Sequence, residues 1–282
     1  MTKHYAVIGD PIAHSLSPVM HSAGFSERGF DADYSARHVT ADQLGEFVEK
    51  ARRELSGFNV TVPHKNSIMP FLDEISEGAA LCGSVNTVTV SGGRLKGEST
   101  DGYGLETALK ESFGTNVNDN SFCFLGCGGA ARAASFHFAA SCPERIFFIN
   151  RTVSKAEELA AEITKAFPMV RTAVCSLGDE SAVKDFLAES AVLIQCTSLG
   201  LKPDDPPPIR PELIPDGICF YDTIYKNTVL IKYASEHGIR YADGRSMLLH
   251  QGARAFSIWT GLPAPVEVMR KALYGAMDSR DK

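Results

Sequence analysis

The chain has 282 residues, a formal net charge of −6, 44% hydrophobic residues and one tryptophan; that length can bury one or two cores and suggests two domains. The negative balance, with neither long basic runs nor a basic face, argues against nucleic acid or an anionic membrane as partner. Seven scattered cysteines, mostly inside apolar runs, read as reduced core thiols of a soluble, cytoplasmic protein.

At the N-terminus no segment has the length of a membrane span or the pattern of a cleaved leader. HYAVIGDP (4–11) is an apolar run broken by Gly-Asp-Pro, which predicts a strand ending in a turn. SPVMHSAGFSERG (17–29) then predicts a helix with Ser17 as N-cap, Pro18 at the first helical position and an end at Gly29. ADYSARHV (32–39) alternates as a strand, 41–55 is a helix, and GFNVTV (57–62) is a further strand. NTVTVSGGRLKGEST (86–100) predicts a hairpin turning at Gly92-Gly93.

From about residue 120 the rhythm is regular. SFCFLG (121–126), RIFFIN (145–150), RTAVCS (171–176) and AVLIQCT (191–197) are near-continuous apolar runs, as expected for strands covered on both faces. Helical stretches 129–141 and 153–166 separate the first three, and 181–189 precedes the fourth. This repeated βα unit predicts a doubly wound parallel sheet. ICFYDTIY (218–225) adds a strand, the proline-rich 202–215 reads as a surface connection, and 246–261 and 264–278 are two closing helices.

FLGCGGAARAA (124–134) follows a strand and opens a helix. Gly126, Gly128 and Ala131 match G-x-G-x-x-A, with Gly129 adding backbone freedom. A pyrophosphate needs such a tight turn and free N–H groups at a helix N-terminus. An NAD site usually carries an acid at the end of the next strand, yet here stand Asn150, Arg151, Thr152 and Lys155. Thr152 reads as a helix cap and Arg151 can be merely solvated, but the missing acid favours a 2′-phosphate and hence NADP over NAD.

The N-terminal half adds polar residues at loop and strand ends: Ser15, Ser17, Asn59, Thr61, Lys65, Asn86 and Asp101. If the strand direction persists, Asn59 and Thr61 face the same way as Lys65. Singly, each has a structural reading as cap, turn residue or solvated charge. Together they suit a small, polyhydroxylated, anionic ligand.

In order and spacing, GDPIAHSLSPVMHS (9–22), GFNVTVPHK (57–65), GSVNTV (83–88), STDGYG (99–104), GCGGAARA (126–133), NRTVSK (150–155), CTSLGL (196–201) and MLLHQGARAFSIWTG (247–261) resemble the successive signatures of the shikimate dehydrogenase family. The resemblance runs from residue 5 to about 275. It implies a two-domain α/β fold: an N-terminal substrate domain, 1–106, completed by C-terminal helices at 246–282, and a Rossmann-like NADP domain at 107–245. It implies reversible NADPH-dependent reduction of 3-dehydroshikimate to shikimate, in a monomer or homodimer. Ser15 and Ser17 would hold the substrate carboxylate with Tyr225 beside it, and Thr61, Lys65, Asn86, Asp101 and Gln251 would contact the hydroxyls. Gly126, Cys127, Gly128, Gly129 and Ala130 would cradle the pyrophosphate, and Asn150 to Lys155 the adenosine end. Thr197, Ser198, Ile224, Gly244 and Met247 would line the nicotinamide side, with Glu77 at the cofactor edge.

The chain departs from that pattern at Ser99, where the family usually has Asn, in the short YKNTVL stretch after Ile224, and at Cys196 and Leu201. Hydride delivery to a ketone leaves negative charge on oxygen, which calls for a nearby proton donor. Lys65 is the candidate, with Asp101 orienting it. The sequence leaves open which of the two carries the proton.

Overall fold

The computed structural model describes residues 2–202 and 204–280; Met1, Pro203 of the proline-rich stretch, Asp281 and Lys282 lie outside it. The chain forms two compact units, one running to Gly104 and resuming at Leu248, the other spanning Leu105–Met247.

In the first unit the chain runs β1 (Lys3–Gly9), α1 (Ser17–Glu27), β2 (Ala32–His38), α2 (Leu44–Glu54), β3 (Gly57–Val60), α3 (His64–Ser67), β4 (Glu74–Ile75), α4 (Glu77–Cys82), β5 (Thr87–Ser91) and β6 (Arg94–Glu98). The six strands form one sheet in the order β2-β1-β3-β5-β6-β4. β1 pairs in parallel with β2 and β3, whereas β5 runs antiparallel to β3 and β6. Alternation along β1 divides the core: Tyr5 and Val7 pack on one side, Ala6 and Ile8 on the other. α2 covers the second side with Leu44, Phe47, Val48 and Ala51, the three-and-four spacing of a helix with one apolar stripe. The β5–β6 hairpin turns at Gly92 and Gly93, both at positive φ (57° and 76°), as the paired glycines predict.

The second unit holds most of α5 (Asp101–Phe113), then β7 (Ser121–Leu125), α6 (Gly129–Ala139), β8 (Arg145–Asn150), α7 (Val153–Ala166), β9 (Thr172–Ser176), α8 (Glu180–Ala188), β10 (Val192–Gln195), β11 (Cys219–Asp222), α9 (Val229–Glu236) and β12 (Tyr241–Ala242). Its strands are all parallel, in the order β12-β11-β10-β7-β8-β9. The order reverses between β7 and β10, the place where open α/β sheets bind ligands. β7, β10 and β11 are buried along their whole length, which is why they lack polar alternation.

The closing helices are α10 (Arg245–Thr260) and α11 (Val266–Arg280). Trp259 donates its Nε1–H to the Val88 carbonyl at 3.0 Å and packs on Tyr5, with ring centroids 4.9 Å apart, inside the first unit. Among the described residues no helix is long and apolar enough to cross a membrane. Among the described residues no disulfide joins any of the seven cysteines.

Candidate active site

In the first unit the strand expected over 57–62 stops at Val60. A turn follows in which His64 N–H donates to the Thr61 carbonyl at 2.9 Å, so Lys65 is presented from the short helix α3 rather than from an extended strand. The expected shared face of Asn59, Thr61 and Lys65 is therefore not formed. Asn59 turns inward, and its amide is fully used by Tyr34, the Asn86 carbonyl and Thr87. Gly9 admits Thr61 closely: a Cβ there would lie 2.6 Å from Thr61 Cγ2.

Ser17 is likewise not the cap of α1. It is already the first helical residue, Leu16 stands at the N-cap position, and no side chain caps the turn. Ser15 Oγ accepts the Ser17 N–H at 3.3 Å. A residue inside the helix has its side chain directed away from the free N–H groups ahead of it, which is the geometric reason for the difference. Ser17 is buried and Ser15 half-buried.

Lys65 Nζ donates to Asp101 Oδ2 at 2.6 Å. Asn86 Nδ2 donates to Asp101 Oδ1 at 2.9 Å and to Gln251 Oε1 at 3.2 Å. The orientation of that amide is fixed by a main-chain donor, since Thr100 N–H reaches Asn86 Oδ1 at 2.8 Å. Both Asp101 oxygens thus accept from groups that only donate. Ser99, one of the departures from the family pattern, keeps a buried Oγ that has no hydrogen-bond partner among the described residues.

In the second unit Gly126 follows β7 at φ +96°, and a Cβ there would lie 2.8 Å from Thr197 Cγ2. Gly128 stands at the N-cap position of α6. Gly128 and Gly129 are exposed, while Cys127 and Ala130 are half-buried. Burial pushes the Cys127 thiol up to about 12, so it stays protonated in this loop. A cavity of about 180 Å³ lies against Gly126, Asn150, Arg151, Thr197 and Ser198. Arg151, Thr152 and Lys155 are exposed around the end of β8. Thr152 stands at the N-cap position of α7 without a side-chain bond, contrary to its expected capping role. Asn150 Nδ2 instead donates to the Thr152 carbonyl at 2.7 Å, tightening the turn. A backbone cradle that side chains would fill, free helix N–H groups and two cations without a strand-end carboxylate fit a dinucleotide bearing a 2′-phosphate.

Ile224, Tyr225, Gly244 and Met247 gather beyond the end of β11. Gly244 N–H donates to the Ile224 carbonyl at 3.4 Å, and a Cβ at Gly244 would lie 2.1 Å from the Thr223 carbonyl oxygen, so only glycine fits. Met247 N–H donates to Tyr221 Oη at 3.1 Å. Ile224 is buried and Tyr225 is exposed. Beneath them Asp222 is fully buried, accepting from Ile224 N–H at 3.0 Å and Thr228 Oγ1 at 2.8 Å, and burial pushes its carboxyl up to about 6. Glu77 is exposed on the first turn of α4, in the first unit.

Two family models match this chain: the shikimate dehydrogenase substrate binding domain over residues 7–88 and the shikimate 5'-dehydrogenase C-terminal domain over 244–274. A shikimate dehydrogenase (NADP(+)) of Symbiobacterium thermophilum is 40% identical over 279 residues, covering 97% of this chain and 94% of the relative. The chain belongs to the shikimate dehydrogenase family. Solved structures agree. A Listeria monocytogenes shikimate 5-dehydrogenase in complex with shikimate and NAD matches with a TM-score of 0.90 at 33% identity, covering 96% of each chain. A Thermus thermophilus shikimate 5-dehydrogenase in complex with NADP(H) and shikimate matches at 0.86 and 32% identity, covering 98% of this chain and 100% of its own.

Against the shikimate dehydrogenase pattern, the sequence reading missed three buried hydroxyls at the site: Tyr34, Thr87 and Thr100. Thr87 and Thr100 stood within quoted motifs, but a threonine in a strand-like run reads first as a β-branched residue. Tyr34 lies far from every motif and carried no signal.

Proposed function

We propose that the chain catalyses the reversible, NADPH-dependent reduction of 3-dehydroshikimate to shikimate. The observation that carries this reading is the Lys65–Asp101 pair held by Asn86. A chain that only bound its ligand would have no need of an oriented ammonium beside a fixed carboxylate.

In this reading the first unit holds the substrate and the second the cofactor. Ser15 and Ser17 take the carboxylate, with Tyr225 beside it, and Thr61, Asn86, Asp101 and Gln251 take the hydroxyls. Gly126 to Ala130 hold the pyrophosphate, while Asn150, Arg151, Thr152 and Lys155 hold the 2′-phosphorylated adenosine. Thr197, Ser198, Ile224, Gly244 and Met247 line the nicotinamide side, and Glu77 the cofactor edge. When bound, NADPH supplies the hydride that reduces the ketone carbon. Lys65 donates a proton to the oxygen that becomes negative, because both Asp101 oxygens are already acceptors. In the reverse direction a neutral Lys65 takes the hydroxyl proton. We place the protein in the cytoplasm, as a monomer or homodimer.

The test is absorbance at the NADPH band with purified protein and shikimate, with NADP, NAD and quinate run in parallel. Fast NADP reduction with shikimate alone is the expected result. Preference for quinate or NAD would assign the chain to a quinate-type or NAD-linked activity, and no turnover with any pair would overturn the enzymatic reading.

A further inference from the structure

The polar network around Asn86 continues past the residues that contact the proposed substrate, and its direction is fixed at every step. Tyr34 Oη donates to Asn59 Oδ1 at 2.7 Å. Asn59 Nδ2 therefore faces the other way, donating to the Asn86 carbonyl at 2.9 Å and to Thr87 Oγ1 at 3.1 Å. Having accepted there, Thr87 donates its proton to Asn86 Oδ1 at 3.0 Å. Asn86 Nδ2 then points to Asp101 Oδ1, and Asp101 Oδ2 to Lys65. Tyr34, Asn59, Asn86, Thr87 and Asp101 are all buried. At the far end the His21 ring stacks on the Tyr34 phenol at 4.5 Å and 4°. One relay inside the first unit thus runs from Tyr34 to the proton-donating pair.

Such a network can exist merely to satisfy buried polar atoms. The neighbouring strand position argues otherwise. Thr89, two residues along β5, keeps a buried Oγ1 with no partner among the described residues. The strand therefore tolerates an unsatisfied threonine hydroxyl, so satisfaction alone does not account for a Thr87 that both accepts and donates within a chain ending on an ion pair.

Resting on the dehydrogenase reading above, we propose that Tyr34 and Thr87 are positioning residues for the reaction, acting through Asn59 and Asn86 to hold Asp101 as the acceptor that orients Lys65. Neither touches the reacting atoms. Their effect belongs in turnover and its pH dependence, not in cofactor binding.

The test compares Thr87→Val, which removes only the hydroxyl at nearly constant volume, with Thr87→Ser, Tyr34→Phe and the control Thr89→Val, in shikimate oxidation by the full chain. Thr87→Val is expected to lower kcat about tenfold, the effect of losing one orienting hydrogen bond, with KM for NADP unchanged. The midpoint of the kcat/KM pH profile is expected to move by about half a unit. Thr87→Ser restores both. Tyr34→Phe lowers kcat in the same sense, and the double variant with Thr87→Val loses no more than Thr87→Val alone, since both break one chain. Thr89→Val matches the wild type. Tyr34→Phe carries the same decision by itself should Thr87→Val fail to fold. Wild-type turnover with Thr87→Val or Tyr34→Phe matching Thr89→Val in kcat and pH profile overturns the inference alone, even where melting temperature falls. Absence of wild-type turnover overturns the reading of the site and the inference with it.

Discussion

Lys65 Nζ and Asp101 Oδ2 lie 2.6 Å apart, joining α3 to the first turn of α5, with the two side chains 27% and 8% exposed. A pair this far from water is worth more than a surface ion pair, and deleting one member strands the other. Lys65→Ala is expected to lower kcat by about 10²–10⁴, the usual share of a general acid, while KM for shikimate rises far less. It also destabilises the fold by about 1–3 kcal/mol, because the buried Asp101 side chain loses one of its two hydrogen-bond donors. Steady-state kinetics with calorimetry checks both; an unchanged kcat, or equal losses in kcat and KM, would remove Lys65 from the chemistry.

Arg151 and Lys155 are exposed where β8 ends without a carboxylate. Arg151→Ala is expected to raise KM for NADP by about 10- to 100-fold, the loss of one or two charge-assisted hydrogen bonds, while leaving KM for NAD nearly untouched. Equal weakening toward both cofactors would mean that the guanidinium serves a part the two share.

Gly126 combines φ +96° with a Cβ position 2.8 Å from Thr197 Cγ2. Gly126→Ala is expected to cost about 1–3 kcal/mol of stability and to raise KM for NADP without moving KM for shikimate. At Gly129 a Cβ meets nothing within 4 Å and φ is not in the strained range, so Gly129→Ala is expected to melt like the wild type. Identical melting of the two variants would show that the Gly126 turn relaxes freely.

Two buried groups pull the pH dependence of stability in opposite directions. His21 is fully buried, its ring nitrogens have no partner among the described residues, and burial lowers its pKa from 6.5 to about 3. Between those values the unfolded chain binds a proton that the native state refuses, so stability falls as pH drops through this window, by about 2 kcal/mol at pH 5. For Asp222, raised from 3.8 to about 6 by burial, the native state holds the proton that the unfolded chain has released. Stability is then lost as pH rises from about 4 to about 6, by about 3 kcal/mol in all. Calorimetry across this range is expected to show less acid destabilisation in His21→Phe and less loss on the alkaline side in Asp222→Asn. Slopes unchanged from the wild type would show that neither group governs the profile.

Much of the fold was legible because its signals are local. The runs at β7, β8, β10 and β11 announce strands covered on both faces, and Gly92-Gly93 announces its turn. α9 was less legible although Thr228 caps it, its Oγ1 accepting the Ile231 N–H at 3.3 Å, because a helix of eight residues is too short to show a full apolar period. The sheet of the first unit was less legible: inserting β5 antiparallel between β3 and β6 is a long-range choice. The same holds at the site. Motifs marked Ser15, Lys65, Asn86 and Asp101, yet the bonds joining Tyr34, Asn59, Thr87 and Asp101 exist only once β2, β3, β5 and α5 are assembled.

Trp259 gives the molecule a built-in reporter. It is the chain's one indole, and it is bonded to Val88 inside the first unit, one residue from Thr87. Intrinsic indole fluorescence therefore follows the proposed substrate-binding unit alone, and melting of the parallel sheet of the second unit is silent to it. Circular dichroism in the far ultraviolet sees both. Denaturation followed by the two signals together would give one midpoint if the units unfold as a single cooperative block and two if they do not, with no label added to the protein.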